Sequence, residues 1–262
     1  MSDAVLYDVA DGVARVTINR PDAMNACDTS VRDGLRESFE RAADDADVRA
    51  ALLTGAGDRA FCVGQDLKEL LPLYEADDPD FTGIVEGFNA VATALTELPK
   101  PTVAAVNGAA AGAGASLAFA CDFRIATEKA SISMAFSKIG LVPDTGASWT
   151  LSRLVGTAKA LEMLMLSDTV RAQEALDLGL FNRVVAPEAL AEVAGDFARS
   201  LAAGPTVAYG YIKRLVNAAH DQPLRDSLAL ELELQVAAGR TEDHVNAVRS
   251  FLAKQPPEFR GY

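Results

Sequence analysis

Residues 102–120 read Thr-Val-Ala-Ala-Val-Asn-Gly-Ala-Ala-Ala-Gly-Ala-Gly-Ala-Ser-Leu-Ala-Phe-Ala. Thr102 to Val106 is a short apolar run, preceded by Lys100-Pro101 and ended by Asn107-Gly108, the pattern of a buried strand closed by a turn. Asn107 to Ser116 then carries almost no side-chain volume and joins that strand to an apolar helix, so backbone must approach something closely here. Two readings stand side by side: a helix N-terminus whose unpaired amides face an anion, and tight packing of helix against sheet. A dinucleotide-binding fingerprint fails in detail. Gly112 and Gly114 supply its first two glycines, but Leu117 stands where the third belongs, and no acidic residue ends a second strand at the usual distance.

Upstream, the strand-then-turn form recurs at Ala50 to Thr54, which ends at Gly55-Ala56-Gly57, and a helix over Phe88 to Glu97 leads into Thr102. Val5 to Val9 and Val13 to Ile18 flank Asp11-Gly12 as a hairpin. A helix is expected to start at Asp28 or Thr29, with Val31, Leu35, Phe39 and Ala42 as its apolar stripe. Strands alternating with helices predict an α/β fold with mainly parallel pairing. After about Thr157 the pattern turns helical, with Pro205, Pro223 and Pro256 between helices and no further strand expected. Leu228, Leu230, Leu232, Leu234 and Val236 alternate with period two. The residues between them are good helix formers, so this stretch reads as helix.

The 262 residues are 50% apolar and 23% charged, the composition of a folded globular protein with room for a sizeable core. Lys plus Arg total 24 against 37 Asp plus Glu, a net charge of −13, which argues against nucleic acid and anionic membranes as partners. No apolar stretch is long enough to span a bilayer, and the first twenty residues lack the pattern of a signal peptide. Cys27, Cys62 and Cys121 have neither disulfide-framework nor zinc-site spacing, which fits a reducing, cytoplasmic setting.

Arg59-Ala-Phe-Cys-Val-Gly-Gln-Asp-Leu-Lys68 is a second small-residue turn, a loop leading into a helix capped by Asp66. Together with Gly108 to Gly114 it offers two glycine-bearing turns, each following a similar strand. Such a pair can present two backbone amides at one point, the geometry of an oxyanion hole. Gly114-Ala-Ser-Leu-Ala118 also matches part of a nucleophile elbow, with Asp144 and His220 or His244 completing the chain order of a hydrolase triad. Ser116 lies about ten residues beyond its strand, however, where an elbow serine follows directly. Asp144, after Gly140-Leu-Val-Pro143, has the ordinary reading of a helix N-cap.

These residues carry a resemblance over nearly the whole chain. The sequence resembles the crotonase (enoyl-CoA hydratase/isomerase) superfamily through Asn19-Arg20-Pro21 with Asn25-Ala26, Ala60 to Leu67, Ala105 to Gly108 with Gly112-Ala113-Gly114, and Cys121-Asp122. Gly140 to Pro143, Leu154-Val155-Gly156 and Phe251 to Lys254 continue the match. The resemblance implies a crotonase/ClpP-like spiral of ββα units over residues 1–200, holding an acyl-CoA site, and a C-terminal helical trimerisation region over residues 201–262. It also implies a thioester carbonyl held by the amides of Gln65 and Ala113, and a homotrimer or dimer of trimers. Coenzyme A then arrives as part of the substrate, with no metal and no other cofactor. Met24, Ala60, Asp66, Leu67 and Lys68 are expected to lie along the substrate and CoA path, with Phe251 and Lys254 coming from another subunit.

Members that hydrate a double bond carry two glutamates, at the positions of Ser116 and Phe136 here. Neither residue can activate water. The run Ala135 to Gly146 instead is similar to the branch that isomerises double bonds or ring epoxides of acyl-CoA thioesters in fatty-acid and aromatic-acid catabolism, which uses an aspartate base at the position of Asp144. Phe136 and Val142 are expected to give this base an apolar setting. A hydratase and a catalytically silent acyl-CoA binder are the alternatives. The segment Glu69 to Gly83 is expected to form the acyl-pocket wall.

Overall fold

The computed structural model describes residues 4–75 and 80–262. The chain opens with an antiparallel hairpin, β1 (Val5–Ala10) and β2 (Val13–Ile18), turned by Asp11-Gly12. Helix α1 (Thr29–Asp44) follows, its first turn capped by Asp28, whose Oδ1 accepts from the Val31 N–H at 3.0 Å. The stripe read from sequence is its buried face: Val31, Leu35, Phe39 and Ala42 are all in the core.

From there the chain winds as a spiral. Its turns are β3 (Ala50–Gly55) with β4 (Ala60–Cys62) and helices α2 (Leu67–Tyr74) and α3 (Thr82–Glu97); β5 (Thr102–Val106) with β6 (Ala109–Ala111) and α4 (Ala113–Ala120); and β7 (Phe123–Thr127) with β8 (Ser131–Ser133) and α5 (Ala147–Leu166). The first strand of each turn joins a large sheet and the second a small one. A short strand β9 (Val170–Arg171), helix α6 (Ala172–Asp177) and β10 (Arg183–Val185) complete both sheets, in the orders β1-β2-β3-β5-β7-β10 and β4-β6-β8-β9. Successive turns pair in parallel in both sheets: β3 with β5 and β5 with β7 in one, β4 with β6 and β6 with β8 in the other. This is the α/β spiral expected. Helices α7 (Leu190–Ala202), α8 (Thr206–Ala219), α9 (Leu224–Ala238) and α10 (Glu242–Leu252) close the chain.

Strand alternation divides the core in two. Val13, Ala50, Leu52, Val103, Ala105 and Ile125 face α7, where Leu190, Ala194, Ala198 and Ala202 meet them. Their neighbours Ala14, Val16, Ala51, Leu53, Ala104, Val106 and Ala126 face the opposite core, which contains α1, α3, α4 and the small sheet.

Two expectations are corrected. The tail after Thr157 contains strands: β10 pairs in parallel with β7 and β9 antiparallel with β8. Both are very short, so pairing with the neighbouring strand holds them rather than a local apolar pattern. Helix α3 begins at Thr82, not Phe88; its first turn holds Thr82 and Gly83, weak helix formers that hide the start. Cys27 and Cys62, distant in sequence, come together as buried free thiols with their sulfurs 3.5 Å apart. The Leu228 to Val236 stretch is helical, within α9. No helix among the described residues is long and apolar enough to cross a membrane.

Candidate active site

The two glycine-bearing turns meet. Gly64 has φ 87°, a conformation open to glycine, and a Cβ there would lie 2.8 Å from Ala111 O and 3.2 Å from the Ala113 nitrogen. Gly114 is pressed still closer to β4: a Cβ on it would fall 2.1 Å from Cys62 O. The close approach read from the sequence is thus between α4 and β4, and it places the start of α4 beside the 64–65 peptide.

Both amides expected at this point lack a backbone acceptor among the described residues. Around Gln65 a parallel bridge to Cys27 uses Cys27 N–H to Gly64 O at 2.7 Å and Asp66 N–H to Cys27 O at 2.8 Å. The Gly64 carbonyl therefore points at Cys27, and the Gln65 N–H, on the other side of the same trans peptide, points away from it. Ala113 is the first residue of α4, so its N–H is one of the helix's unpaired donors and sits at the positive end of the helix dipole.

These residues line a cleft of about 680 Å³. Its walls are apolar: Leu67, Leu70, Phe81, Ile84, Val85 and Phe88 from α2, α3 and the segment before α3, with Phe136, Ile139, Leu141 and Val142 opposite. Glu69 to Gly83 does contribute to the wall, through Leu70 and Phe81, while its residues 76–79 lie outside the described residues.

Asp144 lines the same cleft, half-buried. Burial pushes its carboxyl above the usual aspartate value, and a 2.7 Å bond from the Thr145 hydroxyl to Oδ1 draws it partly back. The N-cap reading does not hold: the residue before α5 is Gly146, and no side chain caps that helix. Thr145 at φ 55° and Gly146 at φ 73° turn the chain between Asp144 and α5. Asp66 also lines the cleft, but its carboxylate is held by Arg20 at 2.9 Å and caps α2 through the Lys68 N–H. Asp144 is the one cleft-lining carboxylate without an ion pair among the described residues.

Ser116 is buried in α4 and its hydroxyl donates back to Gly112 O at 3.1 Å, while His220 and His244 are exposed. No hydrolase triad is assembled. Phe136 is buried beside the turn before α4, its Cζ 4.0 Å from where a Gly112 Cβ would stand. The two positions at which the resemblance places a hydratase's glutamates therefore present a buried serine and an aromatic ring. Phe136 and Val142 both line the cleft with Asp144, Phe136 buried and Val142 80% exposed.

The sequence profile of the enoyl-CoA hydratase/isomerase family matches residues 8–262. The chain belongs to the enoyl-CoA hydratase/isomerase family. It is 41% identical over the full length of both chains to the 1,2-epoxyphenylacetyl-CoA isomerase of Escherichia coli K12. Over 98% of both chains it is 39% identical to a Rhodobacter capsulatus protein assigned as an enoyl-CoA hydratase. A crystal structure assigned to the same family, from Mycobacterium abscessus, superposes with a TM-score of 0.94 at 40% identity, covering 99% of this chain and 100% of that one. The spiral described above is the crotonase fold.

The remaining expected residues are spread wider. Leu67 joins Asp66 on the cleft, whereas Met24, Ala60, Lys68, Phe251 and Lys254 do not line it. Ala60 is buried, its carbonyl accepting from Asn25 and Asn107. Met24 stands nearby, its sulfur 2.8 Å from Arg59 Nη2. Phe251 is exposed at the end of α10 and Lys254 just beyond it. Sequence reasoning missed the contribution of α3: Ile84 and Val85 lie in the first turns, whose start was not legible, and Phe88 and Asn89 lie in the expected helix but carried no signal for the cleft.

Proposed function

We propose that the protein is an acyl-CoA isomerase that moves a double bond, or opens a ring epoxide, through an enolate held by the amides of Gln65 and Ala113, with Asp144 as the base. One observation carries this reading. Asp144 shares the cleft with both amides and has no ion-pair partner among the described residues, while Ser116 and Phe136 supply no acid for water addition.

With a 3-enoyl-CoA bound, Asp144 removes a proton from C2. The C–H electron pair becomes the C1–C2 double bond of a dienolate, and the negative charge moves to the thioester oxygen. Two fixed N–H donors and the start of α4 stabilise that charge without reorganising; one such donor is worth about 3 kcal/mol. The protonated Asp144 then returns the proton to C4, and the double bond lies between C2 and C3. Atoms balance with no water, metal or redox cofactor. A base for this step works best with its pKa drawn toward neutrality, the direction in which burial moves Asp144.

Phe81, Phe88 and Phe136 around the cleft suit an aryl as well as an alkyl acyl group. On a ring-epoxide substrate the same enolate assists opening to an oxepin, and the similarity to an epoxyphenylacetyl-CoA isomerase supports that variant. We further propose that residues 201–262 build a trimer, or a pair of trimers, and that Phe251 and Lys254 reach the CoA of a neighbouring subunit. The test is a paired assay of the purified enzyme on 3-enoyl-CoA and on crotonyl-CoA. Isomerisation at a rate well above hydration supports the reading; efficient hydration with little isomerisation would make the protein a hydratase.

A further inference from the structure

A buried cation stands behind the cleft wall. Arg32 of α1 is 4% exposed. Its Nη1 donates to Gln65 Oε1 at 2.8 Å and to Glu69 Oε2 at 2.9 Å, and its Nη2 donates to Thr29 Oγ1 at 2.9 Å. Gln65 closes the ring, its Nε2 donating to Glu69 Oε2 at 2.7 Å. Burial alone would raise the Glu69 carboxyl, but Arg32, Thr29 and Gln65 together bring it down to about 2, so the network stays ionised across the working range. On its other side the guanidinium lies 5.3 Å from the centre of the Phe88 ring, which lines the cleft. Helix α3 comes near enough that a Cβ on Gly87 would be 3.0 Å from Arg32 Nε.

One guanidinium therefore touches the side chain of the residue that supplies an oxyanion amide, the helix that follows it, and the α3 wall of the acyl pocket. The Cys27 bridge holds the 64–66 backbone from one side, and Arg32 adds the tie from the Gln65 side chain to α1 and, through Phe88, to α3. Catalytic donors must hold their place to within about 0.5 Å. Arg32 has the rigid, multidentate geometry for this, where a lysine would offer a point charge.

We propose that Arg32 is a positioning residue: through Gln65 and Phe88 it fixes the oxyanion amide and the acyl-pocket wall relative to each other. The proposal rests on the reading of Gln65 and Ala113 as the amides that hold the thioester oxygen.

The test uses Arg32→Met, Gln65→Ala and the double variant. Gln65→Ala cuts the tether and keeps the amide. Folding is checked first by circular dichroism, and an Arg32→Met that fails to fold leaves Gln65→Ala to decide. The signature is the vibrational frequency of an isotope-labelled thioester carbonyl in bound hexanoyl-CoA, which hydrogen bonding at the oxygen lowers. The wild type should show a downshift that is reduced in both variants, with kcat roughly tenfold lower and KM about unchanged. The double variant should be no worse than either single one. A wild-type carbonyl with no downshift contradicts the oxyanion reading, and the proposal with it. A wild-type downshift that survives in Gln65→Ala, or losses that multiply in the double variant, overturns the proposal alone.

Discussion

As the proposed base, Asp144 meets two demands that pull apart: burial enough to be basic and access to the cleft. Burial disfavours its charged form, so its folded pKa lies above the ordinary aspartate value. In the proposed mechanism the ionised carboxylate is the active form. Turnover should therefore fall as pH drops through a limb displaced above the ordinary aspartate range, read from kcat/KM against pH. The Thr145 hydroxyl bonds to the charged form and holds the pKa down. Thr145→Val should move that limb to higher pH. Stability follows the opposite sign. The folded state holds this proton more tightly than the unfolded chain, so the stability contributed by Asp144 is present below the unfolded pKa and declines as pH rises through the folded one. Asp144→Asn should raise Tm at pH 7, with the gain vanishing below the ordinary aspartate pKa. A Tm that falls at neutral pH would show that the carboxylate holds the fold rather than strains it.

Helix α4 and strand β4 show what the sequence made legible. The small residues between Asn107 and Ser116 announced a close approach, and the structure supplies its object in the Cys62 carbonyl. Gly114→Ala forces a Cβ into that carbonyl and should destabilise the fold by about 3 kcal/mol or more, measured by urea unfolding. Gly64→Ala strains the 64–65 peptide against Ala111 O and should lower kcat by roughly a hundredfold through misplacement of the Gln65 amide. Less legible were the elements that tertiary contact decides. Strand β10 is three residues long and is recognisable by its pairing with β7; the start of α3 is hidden in Thr82-Gly83. The buried Arg32 had no sequence signal of its own, since its partners Gln65 and Glu69 are more than thirty residues away. From the residues alone Asp144 reads as a helix cap, and only the family resemblance makes it a base; the turn at Thr145 and Gly146 takes it away from the helix start and removes the cap reading.

At the scale of the molecule, α8 and α9 leave an apolar surface too large for a solvated tail. Ile212, Val216, Leu224, Leu228 and Leu232 are each more than half exposed. A trimer would cover them and could bring the end of α10 to a neighbour's CoA. Sedimentation analysis should give a trimer or a multiple of it for the wild type, and Leu228→Asp with Leu232→Asp should shift it toward monomer; a monomeric wild type at micromolar concentration would contradict this. The whole arrangement exists, on this account, to place one carboxylate opposite two amides. Its most direct test is the rate of 3-hexenoyl-CoA isomerisation by Asp144→Asn against wild type, with Ser116→Ala alongside and CoA binding checked in each. Loss of about a hundredfold or more in Asp144→Asn, with Ser116→Ala near wild type, is the predicted result. A folded, CoA-binding Asp144→Asn that isomerises at a near-normal rate would contradict the assignment of Asp144 as the base.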